Sequence, residues 1–525
     1  MLHPRRLAAA IGLVTALALA GCAGGAPAPA PSSASTAAGA QQLTIFNSYK
    51  VASLDPIESG TNWLFDWGIA ENLLQVDEAG AIQPWLATAV TRTDDTHWAI
   101  ELKPDLTFQN GKPVDAAAVA AALNRQVKQA TATRVYLDEA SVFEATGDLS
   151  LTLTTPQPNA MVPAALASRD NAFQVYDVAA IEAAAGDSAK IVGQGAFTGP
   201  YAITAWTPEN LETVRYDGYW AGKPAMAKVT VKVVADEQAR IAGVQSGQAD
   251  LAFYPSPDAK LALESAADAH FLASELALQA LLIDMNLSAP PFDDTLVRQA
   301  FAKAIDYKAL AEQVANGVFD VATGLYPAAM PFAVANQSTD VDAAKSLLDQ
   351  AGWTEGADGI RSKAGTPLVV RFVTQAQGPE TLALASAMQA QVKQAGFDLQ
   401  INNAEDSAAV KSDLTAWDSS IGLNGSLSGT ADPIQPFFSR WTTGGPANAQ
   451  GLSDPQIDAI GAKLKVTFDE AERNQLLKDA QQIIAGDQSY VIAATFKRFL
   501  VIASPQWKDY RVSNVRAHLR WDTAP

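Results

Sequence analysis

Cysteine is nearly absent. A single thiol, Cys22, serves 525 residues, so no internal disulfide can form and no cysteine-based metal site can be assembled. Histidine is almost as scarce. His97, His270 and His518, which lie beyond the amino-terminal stretch, show none of the helical spacing of an HExxH zinc site. Bases are outnumbered, 37 Lys and Arg against 56 Asp and Glu, for a formal charge of -19. Such acidity disfavours nucleic acid and electrostatic adhesion to anionic lipid. No apolar run is long enough to span a bilayer as a helix, which takes about 20 residues; residues 7–20 come nearest, at about 14.

That short run is informative through its flanks. Arg5 and Arg6 precede it and Leu19-Ala20-Gly21-Cys22 closes it, the charged, apolar and small-residue zones of a secretory signal. The closing residues resemble the lipobox of bacterial lipoproteins, which implies that 1–21 is a signal peptide and that Cys22 becomes the lipidated first residue. Loss of Arg5 and Arg6 takes the formal charge from -19 to -21. Residues 23–40 contain only Ala, Gly, Pro, Ser and Thr and have nothing large to bury. The expectation for 22–41 is therefore a disordered tether on the order of 25 Å long.

The remaining residues are too many for one core and suit two or three domains. Strand-like runs, rich in β-branched and aromatic residues, lie at 43–46, 98–102, 151–154, 229–234 and 368–373. Helical patterns cover 114–128, 293–316, 343–351, 381–395 and 468–485. The mixture reads as α/β.

Several blocks follow in a fixed order. They are Ser53-Leu54-Asp55-Pro56, Glu71-Asn72-Leu73-Leu74, Pro84-Trp85-Leu86-Ala87, then 102–114 (LKPDLTFQNGKPV), then Phe197-Thr198-Gly199-Pro200-Tyr201 with Tyr219-Trp220-Ala221-Gly222-Lys223-Pro224. Pro290-Pro291-Phe292-Asp293-Asp294 leads into Val297-Arg298-Gln299-Ala300, and 344–353 (AKSLLDQAGW) follows. Each has a local rationale: Gly199-Pro200 makes a turn that delivers a β-run, and after the prolines an acid caps the next helix. In this order the blocks resemble the family 5 extracytoplasmic solute-binding proteins, the oligopeptide, dipeptide and nickel receptors of ABC importers.

The resemblance implies a two-lobed periplasmic-binding-protein-like fold, type II in its large cluster C form. The large lobe would be 42–283 plus 496–525, with an extra subdomain near 70–192, and the small lobe 284–495. The apolar strands at 280–285 and 490–494 are the expected crossings. The implied function is capture of a peptide or other carboxylate-bearing solute outside the cell membrane and delivery to a permease by lobe closure. A nickel or other metal-chelate receptor is the alternative. The expected partners are a small-molecule or peptide ligand, permease subunits with a cytoplasmic ATPase, and the membrane through the lipid anchor. No cofactor, no resident metal, no nucleic acid and no enzyme activity are expected, and the chain is expected to be a monomer.

The resemblance also selects candidate ligand residues. Peptide receptors carry an acid four places before the Pro of a small-lobe loop, here 424–433. That place holds Gly429, leaving Asp432 as the nearby acid, and the aromatic pair of nickel receptors is replaced by Leu427 and Ala431. Asn424, Ser426, Ser428, Thr430 and Asp432 are the loop candidates. Arg134, in Thr133-Arg134-Val135-Tyr136-Leu137, is similar to a ligand arginine of the nickel receptors, and Arg169 lies near a second; a guanidinium fork suits a carboxylate. Trp63 corresponds to a cleft-lining residue. The opposing readings are solvated arginines and a core tryptophan. Gly425-Ser426-Leu427-Ser428-Gly429 formally matches G-x-S-x-G, so a hydrolase using Ser428 is a remote reading; it would need a strand before, a helix after and a downstream His, which only His518 supplies.

Overall fold

The run Leu43-Thr44-Ile45-Phe46 forms strand β1 (Gln42–Asn47), followed by the short helix α1 (Trp63–Asp66). The computed structural model describes residues 41–525 apart from 59–60, 170–172, 377, 423–424 and 428–431. Strand β1 lies between two parallel neighbours, β2 (Lys228–Val233) and β3 (Leu251–Phe253). Antiparallel strands extend the sheet to seven, with Tyr201–Thr207 and Asn210–Arg215 at one side and Leu500–Ala503 and His270–Ala273 at the other. The period-2 pattern is used on both faces. Leu43, Ile45, Val229, Val231, Leu251 and Phe253 build one core, while Phe46, Ala252 and Ile502 join Ile241 and Val244 of helix Glu237–Gln245 in another. Gly243 of that helix approaches Phe46 so closely that a Cβ would stand 2.3 Å from the ring, which only Gly permits.

A second, six-stranded sheet is centred on β4 (Gln279–Met285) and β5 (Ser419–Gly422). Its order is Asp320–Val321, Val491–Lys497, β4, β5, Val369–Gln375, Asp398–Ala404. The chain thus builds two large sheets, the two-lobed α/β fold. Residues 280–285 and 491–496 are buried throughout, as strands covered on both faces should be. The stretches expected to be crossings, 280–285 and 490–494, fall here except for Tyr490. They are instead paired within the six-stranded sheet, and the chain passes between sheets in 274–278 and 498–499. An interior strand reads apolar wherever the crossing falls, so hydropathy alone does not locate it.

A four-stranded antiparallel sheet (Ala87–Arg92, His97–Leu102, Ser150–Thr154, Val142–Ala145) packs with α2 (Ala116–Gln129). Helix α2 starts later than expected because Asp115 caps it, accepting from the Ala118 amide at 2.8 Å. The single helix expected over 293–316 is broken. Helix Thr295–Ala304 stops at the extended Ile305, and Asp306 caps a new turn by accepting from the Ala309 amide at 2.9 Å. An aspartate that satisfies amides locally restarts a helix more readily than it continues one. No helix among the described residues is long and apolar enough to cross a membrane.

Three of the sequence blocks converge on one carboxylate. Glu71, 4% exposed, accepts at Oε1 from Trp85 Nε1 (2.8 Å), the Tyr219 hydroxyl (2.7 Å) and Trp220 Nε1 (3.4 Å). The Lys103 ammonium stands 4.1 Å over the Trp220 ring and donates to the Trp85 carbonyl. Burial pushes the Glu71 carboxyl up to about 7 from an ordinary 4.5, with the hydrogen bonds only partly offsetting it.

A carboxyl whose pKa is raised on folding holds its proton more tightly when folded. Its contribution is intact below about 4.5 and is lost as pH rises through 7. The difference amounts to about 3 kcal/mol. Glu71→Gln, which keeps an acceptor at the same place without a charge, is expected to remove that part of the stability loss when unfolding is measured by denaturant at pH 5 and pH 8. Parallel losses in the two proteins would show that another group titrates.

Candidate functional site

In open α/β sheets a ligand meets the chain at the carboxyl ends of parallel strands. Here those ends carry aromatics. Tyr49 follows β1 and Tyr254 follows β3, and α1 brings Trp63 between them. Tyr49 stacks on Trp63 (centroids 5.6 Å apart, 24° between planes), and Tyr254 stands edge-on to both, at 5.3 and 6.3 Å. Trp63 is half-buried and continues the stack onto the buried Trp67 at 6.5 Å. Tyr254 and Arg516 both adopt left-handed backbone, φ 59° and 63°. Residues with a Cβ persist there only where the surroundings impose it, and such positions concentrate at functional sites.

The charged part of the site is built from distant segments. Asp66, 1% exposed, accepts from Arg516 Nη2 at 2.7 Å and from Arg169 Nη2 at 3.4 Å. Arg516 lies over the Trp63 ring at 5.1 Å and Arg169 over Phe65 at 4.0 Å. Arg169 also donates to the Val515 and Arg516 carbonyls, stapling the carboxyl-terminal segment beneath α1. It is a buried clamp, 4% exposed, rather than a solvated surface arginine. His518, on the same segment, places Nε2 2.9 Å from the Tyr254 hydroxyl and packs against Phe253 at 4.6 Å. Burial, reinforced by the charges of Arg516 and Arg169, pushes its pKa well down, so the ring is neutral.

The other candidates gather around Tyr136. Its hydroxyl donates to Asp432 Oδ2 at 2.9 Å, joining the segment after α2 to the loop after β5. Asp432 also accepts from the Ile434 amide at 3.0 Å, and burial pushes its pKa up. With Trp98, Met330, Phe332, Phe468 and Arg473 it lines a cavity of about 490 Å³. Ser426 donates to the Leu325 carbonyl. Arg134 caps the carboxyl end of α2, donating to the carbonyls of Val127 (2.9 Å) and Lys128 (3.1 Å) and pairing with Glu139 at 2.9 Å. The carboxylate clamp expected of it is thus directed at its own helix, although it also lines a cavity of about 220 Å³ with Tyr136, Ser141, Asn159 and Lys465. Asn424, Ser428, Thr430 and Cys22 lie outside the described residues.

Trp63 and Arg169 therefore belong to one constellation, Arg134 and Asp432 to another. Sequence reasoning missed Tyr49, Asp66, Tyr254 and Arg516, and it named His518 only as the downstream His of the hydrolase reading. The detectable signal was an aromatic placed just past the end of a strand, twice. Of the hydrolase elbow's parts, Ser428 lies outside the described residues, a helix at Ile434–Pro436 follows among the described ones, and His518 is engaged with Tyr254 at the end of β3. Among the described residues no group of three or more His, Cys, Asp or Glu could hold a metal ion.

Asp66→Ala would deprive two guanidinium groups of this carboxylate. It is expected to lower unfolding free energy in urea by about 3 kcal/mol, the cost of breaking a buried pair. Unchanged stability would mean that the segments are held elsewhere.

Comparison with known proteins matches residues 81–449 to the profile described as bacterial extracellular solute-binding proteins, family 5 Middle. The nickel-binding periplasmic protein of Escherichia coli K12 is 26% identical over 494 residues, covering 90% of this chain and 92% of its own. The glutathione-binding protein GsiB of the same strain is 27% identical over 491 residues, covering 87% and 89%. Among solved structures, NikA from Staphylococcus aureus in complex with Ni(L-His)2 superposes with TM-score 0.77 at 22% identity, over 92% of this chain and 99% of that one. AppA from Bacillus subtilis, an oligopeptide-binding protein in complex with a nonapeptide, gives 0.71 at 20%, over 92% and 98%. At these identities the structural likeness speaks for the fold.

Proposed function

The chain belongs to the family 5 bacterial extracellular solute-binding proteins of ABC importers, and from that premise we propose that it captures a peptide or other carboxylate-bearing solute against the wall formed by Tyr49, Trp63 and Tyr254. The carrying observation is that wall: aromatics at the carboxyl ends of adjacent parallel strands, with a guanidinium, that of Arg516, on the Trp63 face. Aromatic faces supply affinity for apolar or planar groups, and the guanidinium favours an anion alongside. The ligands named for the relatives and neighbours, glutathione, nickel with histidine and a nonapeptide, have a carboxylate in common. A chelated metal is the second reading, favoured by the nickel-binding relatives; it would arrive with its chelator's carboxylates and need few protein ligands.

Delivery would follow lobe closure turning on the crossings at 274–278 and 498–499, the few residues that absorb a hinge motion. The Tyr136–Asp432 hydrogen bond would belong to the closed form. Retention near the permease would come from lipid on Cys22. Hydrolysis of ATP would fall to other subunits.

The test is calorimetric titration of wild type and Trp63→Ala with glutathione, with Ni(II) plus L-histidine, and with a nonapeptide. Micromolar or tighter binding of at least one is expected, weakened at least tenfold, about 1.4 kcal/mol, in Trp63→Ala. Binding of none, or binding indifferent to Trp63, would displace the site.

A further inference from the structure

We infer that Tyr254 is a specificity-determining residue whose hydroxyl proton is held out toward an oxygen acceptor of the solute, and that His518 is the positioning residue that holds it there. This rests on the reading of the aromatic wall as the solute site.

The argument starts from the two nitrogens of His518. The residue is 1% exposed; Nε2 faces the Tyr254 oxygen at 2.9 Å, and Nδ1 is buried with no hydrogen-bond partner. A neutral imidazole carries one proton. On Nδ1 it would leave a buried N–H unpaired, which native structures rarely tolerate. On Nε2 it is donated to Tyr254, and the bare Nδ1 has no proton to place. The Nε2–H tautomer therefore prevails, and Tyr254 is the acceptor in that bond.

Arg516, whose guanidinium is a donor only, lies over the Trp63 ring at 5.1 Å on the same wall and so offers no acceptor there. With the Nε2–H donated to its oxygen, the phenol must turn its own proton away from His518. No acceptor within the protein takes that proton among the described residues. Burial raises the Tyr254 pKa, so the proton stays on. The residue is only partly buried, and its ring stands edge-on to Tyr49 and Trp63.

The backbone is arranged to the same end. Tyr254 keeps φ 59° while its carbonyl accepts from Arg240 Nη2 at 3.0 Å and its amide donates to the Leu500 carbonyl at 3.1 Å. A left-handed tyrosine fixed at both backbone groups aims its side chain rather than letting it fold away. An uncharged O–H beside a guanidinium matches a carboxylate or another oxygen acceptor and disfavours an ammonium group.

Two measurements decide the matter. In 15N-labelled protein, long-range nitrogen–proton correlation should show His518 protonated at Nε2 and neutral from pH 5 to 8; protonation at Nδ1 would mean that the hydroxyl proton is given to His518, overturning the inference. In calorimetry with whichever of glutathione, nickel–histidine or the nonapeptide binds wild type, Tyr254→Phe should weaken affinity at least tenfold with melting lowered by at most a few degrees. His518→Gln, whose amide N–H can occupy the place of Nε2–H, should retain affinity within about threefold, whereas His518→Leu should lose as much as Tyr254→Phe. Unchanged affinity in Tyr254→Phe overturns the inference. If wild type binds none of the three probes, it is the solute-site reading that fails, and the tautomer measurement still decides whether the proton is available.

Discussion

A carboxylate with 1% of its surface exposed, Asp66, holds guanidinium groups from positions 103 and 450 residues away along the chain. The arrangement of the candidate site depends on that meeting. Arg516 can lie on Trp63 because Asp66 fixes its guanidinium, and the carboxyl-terminal segment can return beneath α1 because Arg169 takes its carbonyls as well as the carboxylate. With the segment fixed, His518 comes to Tyr254 and Tyr254 to Tyr49 and Trp63. Burying charges is costly unless each is matched, so this cluster has few alternative arrangements, and the wall inherits its definition from it.

Glu71 is the counterpart in scaffold rather than site. It also gathers distant segments, but its donors are the neutral groups of Trp85, Tyr219 and Trp220, with the Lys103 ammonium held over the Trp220 ring. Hence burial prevails and its pKa rises. The blocks read as separate marks along the chain are one object: the acid of one, the tryptophan of the next and the Tyr-Trp pair of a third close on a single oxygen. The Phe-Gln-Asn-Gly-Lys block joins in the same way, since Gln109 Nε2 donates to the carbonyls of Gly199 and Tyr201, both at 2.9 Å, and Lys112 pairs with Asp177 at 2.7 Å.

Legibility followed the range of the interaction responsible. Strands at 42–47 and 97–102 were evident from β-branched and aromatic runs, and Asp115 and Asp294 act locally as helix caps. Where a local competitor intervened, as Asp306 does, a continuous helical pattern concealed a break. Arg134 shows a different ambiguity: a guanidinium suited to a carboxylate is equally suited to the carbonyls ending a helix, and only geometry separates the two. Tyr49, Tyr254, Arg516 and His518 were illegible as a group, because each looks ordinary alone and they meet only through two separate strands and a returning segment.

The sequence by itself determined the α/β class, the order of elements, the family blocks and the acidic character, all of which depend on periodicity, local capping and composition. The tertiary structure decided which polar groups are buried and against what. That choice separates Arg169 as a clamp from Arg134 as a cap, moves the crossings to 274–278 and 498–499, and makes Tyr254 part of the wall. The physical reason is desolvation: the energy of a charge or a hydroxyl is set by the few groups within hydrogen-bonding distance once water is gone, and those neighbours come from chain positions that no local pattern connects.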